Sequence, residues 1–562
     1  MKEQGPVEPV NAPLEGIDQL ASLSLAFAVA FFLAALMGAG LSEYLRWRGW
    51  SWTWSLCSLP AAVLAGGATT ASPLAGSALA GAAAFCLGSP AGLIGWGLRR
   101  RVDDRRAGGD RELRARERRG VFDRVRGRWH ERRLSRGDQM GKSIALGRSD
   151  RGEIALVRRG TRQSGSHALI PGATGAGKTT SLASLVIEYV VRSGFGAVVI
   201  EAKKDEHLRF AAQAAAAARG VPFRLISPNG DHVYDPIAEG TVDERAERLI
   251  AVQPFGSADA DFYRQASSPF LRMVVRALDK SPEPATLSTV AENCNADLLK
   301  ENVADLKDDE LLTEIIAYVK NLGADEARAI GGLRARLFNL ANSDFAEKWL
   351  DPTDPAGEVI NLRRSVRERE VLYFRLDTDR TGNVGKDIGQ MAMLDLGAAA
   401  SSMMGAGAGT VVAIDEFGAI EADALDRLYT RGRSAGMSIL TGTQTIADLR
   451  EAGPATLERV GATIESLVCH RLNDQEEAER IAQLIGTVPT WNTTTRTDGL
   501  GLTKDEGTRT RGHRFEVNPS ELQRLGRGQA FVARLDSPAR RRATRVSVVP
   551  PWERLPGMNG RS

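Results

Sequence analysis

A chain of 562 residues is too long for one compact core and long enough for about three or four domains of ordinary size. Its four cysteines, Cys57, Cys86, Cys294 and Cys469, form no C-x-x-C pair and its six histidines are scattered, which excludes a disulfide framework and a zinc site of common spacing and suits a reducing compartment for the bulk of the chain. The net charge of +3 conceals an uneven distribution: residues 99–136 hold sixteen arginines against seven acids, +9, so the rest of the chain sums to 3 − 9 = −6.

Residues 1–19 are polar, with four acids and one lysine, and read as a flexible N-terminus. Residues 20–41 then run without a charge, long enough to span a bilayer as a helix. The acidic segment before them and the length of the run set them apart from a signal peptide. After Arg46 and Arg48, residues 49–98 carry no charged side chain, with Trp50, Trp52 and Trp54 at one end and Trp96 at the other. The break at Thr69, Thr70, Ala71, Ser72 and Pro73 suggests two further transmembrane spans, near 51–68 and 74–97, with tryptophans at the interfaces. Three spans put the acidic N-terminus outside and both basic loops inside, as the positive-inside rule asks. The Ala/Gly richness of the last two leaves a count of two, or one span with a re-entrant piece, open. The Arg-rich juxtamembrane segment 99–143 has two readings: contact with anionic lipid or nucleic-acid backbone, or a solvated helical linker that stops transfer.

From Ile144 the pattern turns α/β. A strand-like run at 154–157 leads to a second apolar run at 167–170, which meets Gly172, Ala173, Thr174, Gly175, Ala176, Gly177, Lys178 and Thr179. These fit G-x-x-x-x-G-K-[ST], and Thr180 opens a stretch with helical apolar spacing. Glycines let backbone N–H groups converge on phosphate oxygens, and the helix N-terminus adds partial positive charge. Residues Gly172 through Thr180 are therefore the expected cradle for ATP, with Lys178 reaching its β- and γ-phosphates and the Thr179 hydroxyl ligating Mg2+. The next strand, 197–201, ends in Glu201, with Lys203 close behind; the two either polarise the site or form a structural ion pair. An Ala-rich helix at 208–218 and a strand at 223–226 continue the alternation, which implies a parallel sheet with ligands at the carboxyl ends of its strands.

Residues 240–352 break this rhythm with helical spacing and few strand signals, and read as an all-helical insertion between two parts of one sheet domain, 144–239 and 353–548. The sheet resumes at 370–376. A buried-type strand at 410–414 ends in Asp415 and Glu416, the partners a phosphate loop needs: Asp415 for the magnesium shell, Glu416 to orient and polarise the attacking water. Another strand, 438–441, leads to Thr443 and Gln444, and Gln444 is placed to sense the γ-phosphate. Arg431 and Arg433 either act across a subunit boundary as arginine fingers or serve in surface salt bridges or DNA contact. Residues 549–562 read as a flexible C-terminus.

Taken in order, the loop Gly172 to Thr179, the strand end Ile200-Glu201-Ala202-Lys203, the helical insertion, Asp415-Glu416-Phe417-Gly418, Arg431-Gly432-Arg433-Ser434-Ala435-Gly436, Thr443-Gln444, and the later runs Asp474-Gln475-Glu476-Glu477 and Leu522-Gln523-Arg524-Leu525-Gly526-Arg527-Gly528 resemble the type IV secretion coupling-protein family. These are membrane-anchored conjugative DNA-transfer ATPases, and the likeness covers roughly residues 160–540. It implies a RecA-like P-loop NTPase core and a homo-hexameric motor in the bacterial cytoplasmic (inner) membrane. The partners it implies are DNA, a relaxase or DNA-processing complex, and membrane secretion channel components. Glu201 departs from the family, where an aspartate before Pro-Lys is more frequent. The rival is an FtsK-type double-stranded DNA translocase, against which stand the large insertion and the lack of a separate winged-helix tail after residue 540.

Overall fold

The computed structural model describes residues 143–149, 154–227, 232–253, 258–343, 350, 358–416, 422–447, 456–497, 503–536 and 543–555. The expected spans within 20–98, the N-terminal 1–19 and all of the Arg-rich segment except Ser143 lie outside the described residues. Among those described, no helix is long and apolar enough to cross a membrane.

Strands form at Ser143–Arg148 (β1), Ile154–Arg158 (β2), Ala168–Pro171 (β3), Gly196–Glu201 (β4), Phe223–Ile226 (β5), His232–Tyr234 (β6), Glu358–Ile360 (β7), Val371–Arg375 (β8), Thr410–Asp415 (β9), Met437–Thr443 (β10), Ser466–Cys469 (β11), Thr487–Thr497 (β12), Thr503–Phe515 (β13), Gln529–Arg534 (β14) and Thr544–Val548 (β15). Eleven of them join one sheet in the order β2-β1-β15-β14-β11-β3-β10-β9-β4-β8-β5. From β11 to β5 every pairing is parallel, as the strand–helix alternation predicts. The four strands at the other end pair antiparallel. Because β15 is antiparallel to β14 and β14 is antiparallel to β11, β15 ends on the same edge of the sheet as the parallel strands. The sequence reading anticipated strand 154–157 but not this antiparallel extension, nor the separate hairpin of β12 and β13.

The parallel strands are apolar at consecutive positions because both faces are covered. Alternate residues divide between two cores: Val198, Ile200, Leu372, Phe374, Val412 and Ile414 point to one face, and Ala197, Val199, Val371, Tyr373, Val411 and Ala413 to the other. The second face packs on helices Lys178–Ile187 (α1) and Glu206–Arg219 (α2). Asp205 caps α2 by accepting from the His207 and Leu208 N–H groups, and Gly220, at φ 70°, ends it.

The first face carries the helices between 242 and 341: Val242–Ile250 (α3), Ala258–Lys280 (α4), Leu287–Asn293 (α5), Ala296–Asp305 (α6), Asp309–Lys320 (α7) and Ala324–Ala341 (α8). No strand interrupts them among the described residues. Between α6 and α7 the helical path breaks because Lys307 turns left-handed (φ 55°) and Asp308 then caps α7 through the Leu311 N–H at 3.1 Å. These helices share their core with the sheet, since Leu249, Phe270 and Leu333 belong to the same buried cluster as Leu372 and Phe374. Helices Asn383–Ser402 (α9) and Ala422–Gly432 (α10) add to that layer. A buried ion cluster ties the layer together: Arg248, 1% exposed, pairs with Asp395 of α9 at 2.5 Å, Arg363 reaches the same carboxylate at 3.3 Å, and Arg363 also holds Glu244 at 2.9 Å.

The start of the expected flexible C-terminus is folded. Residues 551–554 form a short helix, and Arg554 is buried, donating to the carbonyls of Ala145 and Leu146 at 2.9 and 2.8 Å and pairing with Glu188 at 2.7 Å. A buried arginine with this many acceptors fixes the turn.

Candidate nucleotide site

A cleft of about 500 Å3 opens at the edge of the sheet where the parallel strands end. It is lined by Thr174, Gly175, Gly177, Lys178, Thr179 and Thr180, by Lys203, Lys204, Asp205 and His207 after β4, by Asp415 and Glu416 after β9, and by Gln444 after β10. Arg527, just before β14, and Pro551 and Trp552, just after β15, complete it with Ala183 of α1. Strand direction explains the convergence: each of these segments leaves or enters the sheet on one edge.

Gly177 is the N-cap of α1, with a left-handed φ of 119° and no side-chain cap. The first helical bond runs from the Ser181 N–H to the Gly177 carbonyl, so the N–H groups of Thr179 and Thr180 have no acceptor within the helix. A Cβ at position 177 would stand 3.1 Å from the Gly528 Cα and 3.2 Å from the His470 ring, so the turn needs glycine both for its φ and for the close approach. The Lys178 ammonium lies buried in the loop and donates to the carbonyl of Gly172 at 2.6 Å and of Ala173 at 3.4 Å. Those carbonyls occupy the place in its coordination that phosphate oxygens would take.

The Thr179 hydroxyl donates to Asp415 Oδ2 at 2.9 Å. Burial pushes the Asp415 carboxyl up to about 6, against the pull of that hydrogen bond, the cost of a carboxylate enclosed before a cation arrives. One hydroxyl and one carboxylate are the donor set of magnesium, which takes oxygen ligands, few of them from protein and the rest from phosphate and water. No group of three or more His, Cys, Asp or Glu side chains fit to hold a metal occurs among the described residues. The residues present fit ATP with Mg2+.

Glu416 stands beside this pair with a left-handed φ of 62°, and its Oε1 lies 3.9 Å from the Lys203 ammonium. Gln444 Oε1 accepts from the Thr174 hydroxyl at 3.0 Å, which holds the amide over the phosphate loop. The remaining expected positions divide. The Gly172 and Ala173 N–H groups are taken by the carbonyls of Thr443 and Arg471 at 3.1 and 2.7 Å, and the Ala176 carbonyl accepts from Gly528 at 2.9 Å, so these three residues shape the loop from behind rather than line the cleft.

Glu201, expected at the nucleotide, is not among the residues that line the cleft. It is 1% exposed, its Oε2 accepts from the Tyr373 hydroxyl at 2.7 Å, and its Oε1 accepts from the Asp205 N–H. Burial pushes its carboxyl up to about 8. β4 pairs Glu201 with Asp415, and the Tyr373 hydroxyl and the Asp205 N–H hold its carboxyl outside the cleft lining. Of the expected Glu201–Lys203 pair, only Lys203 reaches the site.

Arg431 and Arg433 lie at the opposite edge of the sheet, before β10 begins. Arg431 Nη1 donates to Ser401 Oγ at 2.9 Å, Arg433 pairs with Glu465 at 2.8 Å, and the Arg433 carbonyl accepts from Gly165, which precedes β3. Within one chain neither touches the cleft.

Three residues beside the loop were not assigned to the site from sequence, although Arg527 belongs to a run that carries the family resemblance. His470 follows β11, accepts through Nε2 from the Ser181 hydroxyl at 2.9 Å and donates from Nδ1 to the Gln529 carbonyl at 2.9 Å. Desolvation lowers it to about 4, so it is neutral. Arg527 and Trp552 enter the cleft through strand order alone, from chain positions some 350 to 370 residues beyond Lys178.

A family profile described as the type IV secretion-system coupling protein DNA-binding domain matches residues 151–543. The chain belongs to the type IV secretion-system coupling-protein family. Among solved structures, the coupling protein resembles the bacterial conjugative coupling protein TrwB lacking its first 70 residues, in an unbound form, with a TM-score of 0.54 at 17% identity over 74% of this chain and 91% of that one. It also resembles TrwB with the ATP analogue ADPNP (TM-score 0.52, 18% identity, 74% and 92% covered) and TrwB with ADP and Mg2+ (TM-score 0.50, 17% identity, 68% and 85% covered). At such identities the likeness establishes the fold alone, a mixed α/β core. None of the curated proteins matches the sequence. Membership in the coupling-protein family sets aside the FtsK-type rival.

Proposed function

We propose that this coupling protein is a P-loop ATP hydrolase that recruits DNA, or a relaxase–DNA complex, and drives it towards a membrane secretion channel. The observation that carries this is the meeting of Lys178, the Thr179–Asp415 pair, Glu416 and Gln444 around one cleft, from three different strand ends. TrwB, the structural relative, has been seen with ADPNP and with ADP and Mg2+, which supports ATP and Mg2+ as the ligands here.

In this reading Thr174 to Thr180 hold the triphosphate, and Lys178 releases the loop carbonyls to bind β- and γ-phosphate oxygens. Thr179 and Asp415 would hold magnesium, which would supply Lewis-acid withdrawal of charge from the phosphate oxygens. Glu416 orients water in line with the γ-phosphorus and accepts its proton as the new P–O bond forms and the β–γ bridge breaks. Gln444 hydrogen-bonds the γ-phosphate and reports its loss through the Thr174 contact. Residues 144–239 and 353–548 form the motor, 240–352 is a helical insertion that recognises the DNA-processing complex, and 20–98 anchor the chain as a multi-pass protein of the bacterial inner membrane. The working form is a homo-hexamer in which Arg431 and Arg433 complete a neighbour's site, and segment 99–143 contacts DNA or anionic lipid.

The full-length Lys178→Ala protein tests this. It is expected to insert in the membrane normally while ATP turnover and DNA transfer are lost. Wild-type transfer by that variant would remove the motor reading.

A further inference from the structure

The phosphate loop sits within the sheet edge, and the cleft receives lining residues from both sides of it. Asp415, Glu416 and Gln444 follow β9 and β10 on one side; Arg527, Pro551 and Trp552 come from the other, where β14 and β15 extend the sheet. A nucleotide whose γ-phosphate faces Glu416 and Gln444 therefore directs its base towards β15. Thr180 and Ala183, three residues apart on one face of α1, line the cleft along that path.

Trp552 stands where the path ends. Its side chain is 45% exposed, whereas the chain that carries it is held on every side. The Ser184 hydroxyl of α1 donates to the Val549 carbonyl at 2.8 Å, the Val549 N–H donates to the Leu146 carbonyl at 3.1 Å, and Pro551 and Arg554 are buried. Arg554 in turn pairs with Glu188 at 2.7 Å, one residue past the end of α1. The helix that receives the phosphates thus also fixes the turn that presents the indole. A backbone held in place lowers the ordering cost when a planar ring lies on the indole that it carries.

We propose that Trp552 is the nucleobase platform of the cleft, stacking on the purine of the nucleotide whose phosphates lie at Thr174 to Thr180. The inference rests on the nucleotide reading above and adds how the base is held. Stacking uses the π-face, which every base possesses, so the platform takes adenine and guanine alike.

The test uses the full-length chain in detergent and calorimetric titration with ADP, GDP and inorganic tripolyphosphate, which has phosphates and no base. Trp552→Ala is expected to weaken ADP and GDP about five- to a hundredfold while tripolyphosphate affinity stays within about twofold, and Trp552→Phe to retain most of the diphosphate affinity. Unchanged ADP binding by Trp552→Ala overturns the platform. So does an equal loss for tripolyphosphate, which would show that the residue only shapes the phosphate site. A wild-type chain that binds neither ADP nor tripolyphosphate removes the nucleotide reading, and the platform with it.

Discussion

Glu416 holds a left-handed backbone at φ 62°, which costs a residue with a Cβ roughly 1–2 kcal/mol. The conformation turns its carboxylate back from the strand end to the mouth of the cleft, where Lys203 lies 3.9 Å away. Because Glu416 acts on the water and not on the phosphates, Glu416→Gln is expected to bind ATP as the wild type does and to hydrolyse it at least about tenfold more slowly, general-base steps contributing about a hundredfold or more. Wild-type turnover, measured as phosphate release, would take the residue out of the reaction. A second prediction concerns His167, buried beneath β10. Its Nε2 donates to the Tyr429 carbonyl at 3.0 Å, its Nδ1 accepts from the Ile439 N–H at 3.2 Å, and desolvation lowers it to about 4. The unfolded chain therefore binds more protons between about pH 4 and 6.5, so stability rises with pH in that window and is lost as pH falls through it. Between pH 6.5 and 5 this one histidine withdraws roughly 2 kcal/mol. Denaturation at both values should show the fall, and His167→Gln should make it shallower. Lys178, Thr179 and Asp415 were legible in the sequence because contiguous motifs hold them in fixed relation. Glu201 was legible as a strand end, but its partners, the Tyr373 hydroxyl and the Asp205 N–H, are brought to it only by the fold.

The parallel strands were readable as continuous apolar runs because helices cover both of their faces. β12 and β13 were not: a polar hairpin apart from the main sheet gives no alternation of apolar and polar residues to detect. The short helix at 551–554 was also hidden, since its stability lies in distant partners of Arg554 rather than in local propensity. Arg554→Ala removes the guanidinium donor from the Ala145 and Leu146 carbonyls, of which Leu146 keeps the Val549 N–H, and removes one partner of Glu188. Removing half of a fully buried pair costs about 3–5 kcal/mol, but Arg192 still holds Glu188 at 3.1 Å, so a loss on the order of 2 kcal/mol is expected. Thermal denaturation should register it. Because the same turn carries Trp552, ADP affinity should fall with it, and a variant that melts early yet binds ADP as the wild type does would separate the anchor from the cleft.

At the scale of the whole molecule, the sheet separates two chemistries on its opposite edges. The cleft opens where the parallel strands end, while Arg431 and Arg433 project where they begin, and Arg433, paired with Glu465, stays 56% exposed. A single chain cannot bring them to its own phosphates. If they act in catalysis, each serves the site of an adjoining copy in a closed ring, a heterologous arrangement in which every interface joins one subunit's cleft to the next one's arginines. Alanine at both positions should then leave ADP affinity unchanged and suppress turnover, the signature of an interaction made only in the transition state. A mixing experiment sharpens this. Lys178→Ala chains keep their arginines and lack a working cleft; the double arginine variant keeps its cleft and lacks the arginines. Each is expected to be inactive alone. In a ring assembled at random from equal parts, about one interface in four pairs an intact cleft with intact arginines. Mixing should therefore restore about a quarter of wild-type turnover if neighbouring sites fire independently, and less if hydrolysis must pass around the ring. Full activity of the double arginine variant alone would show that both arginines serve only their contacts with Ser401 and Glu465.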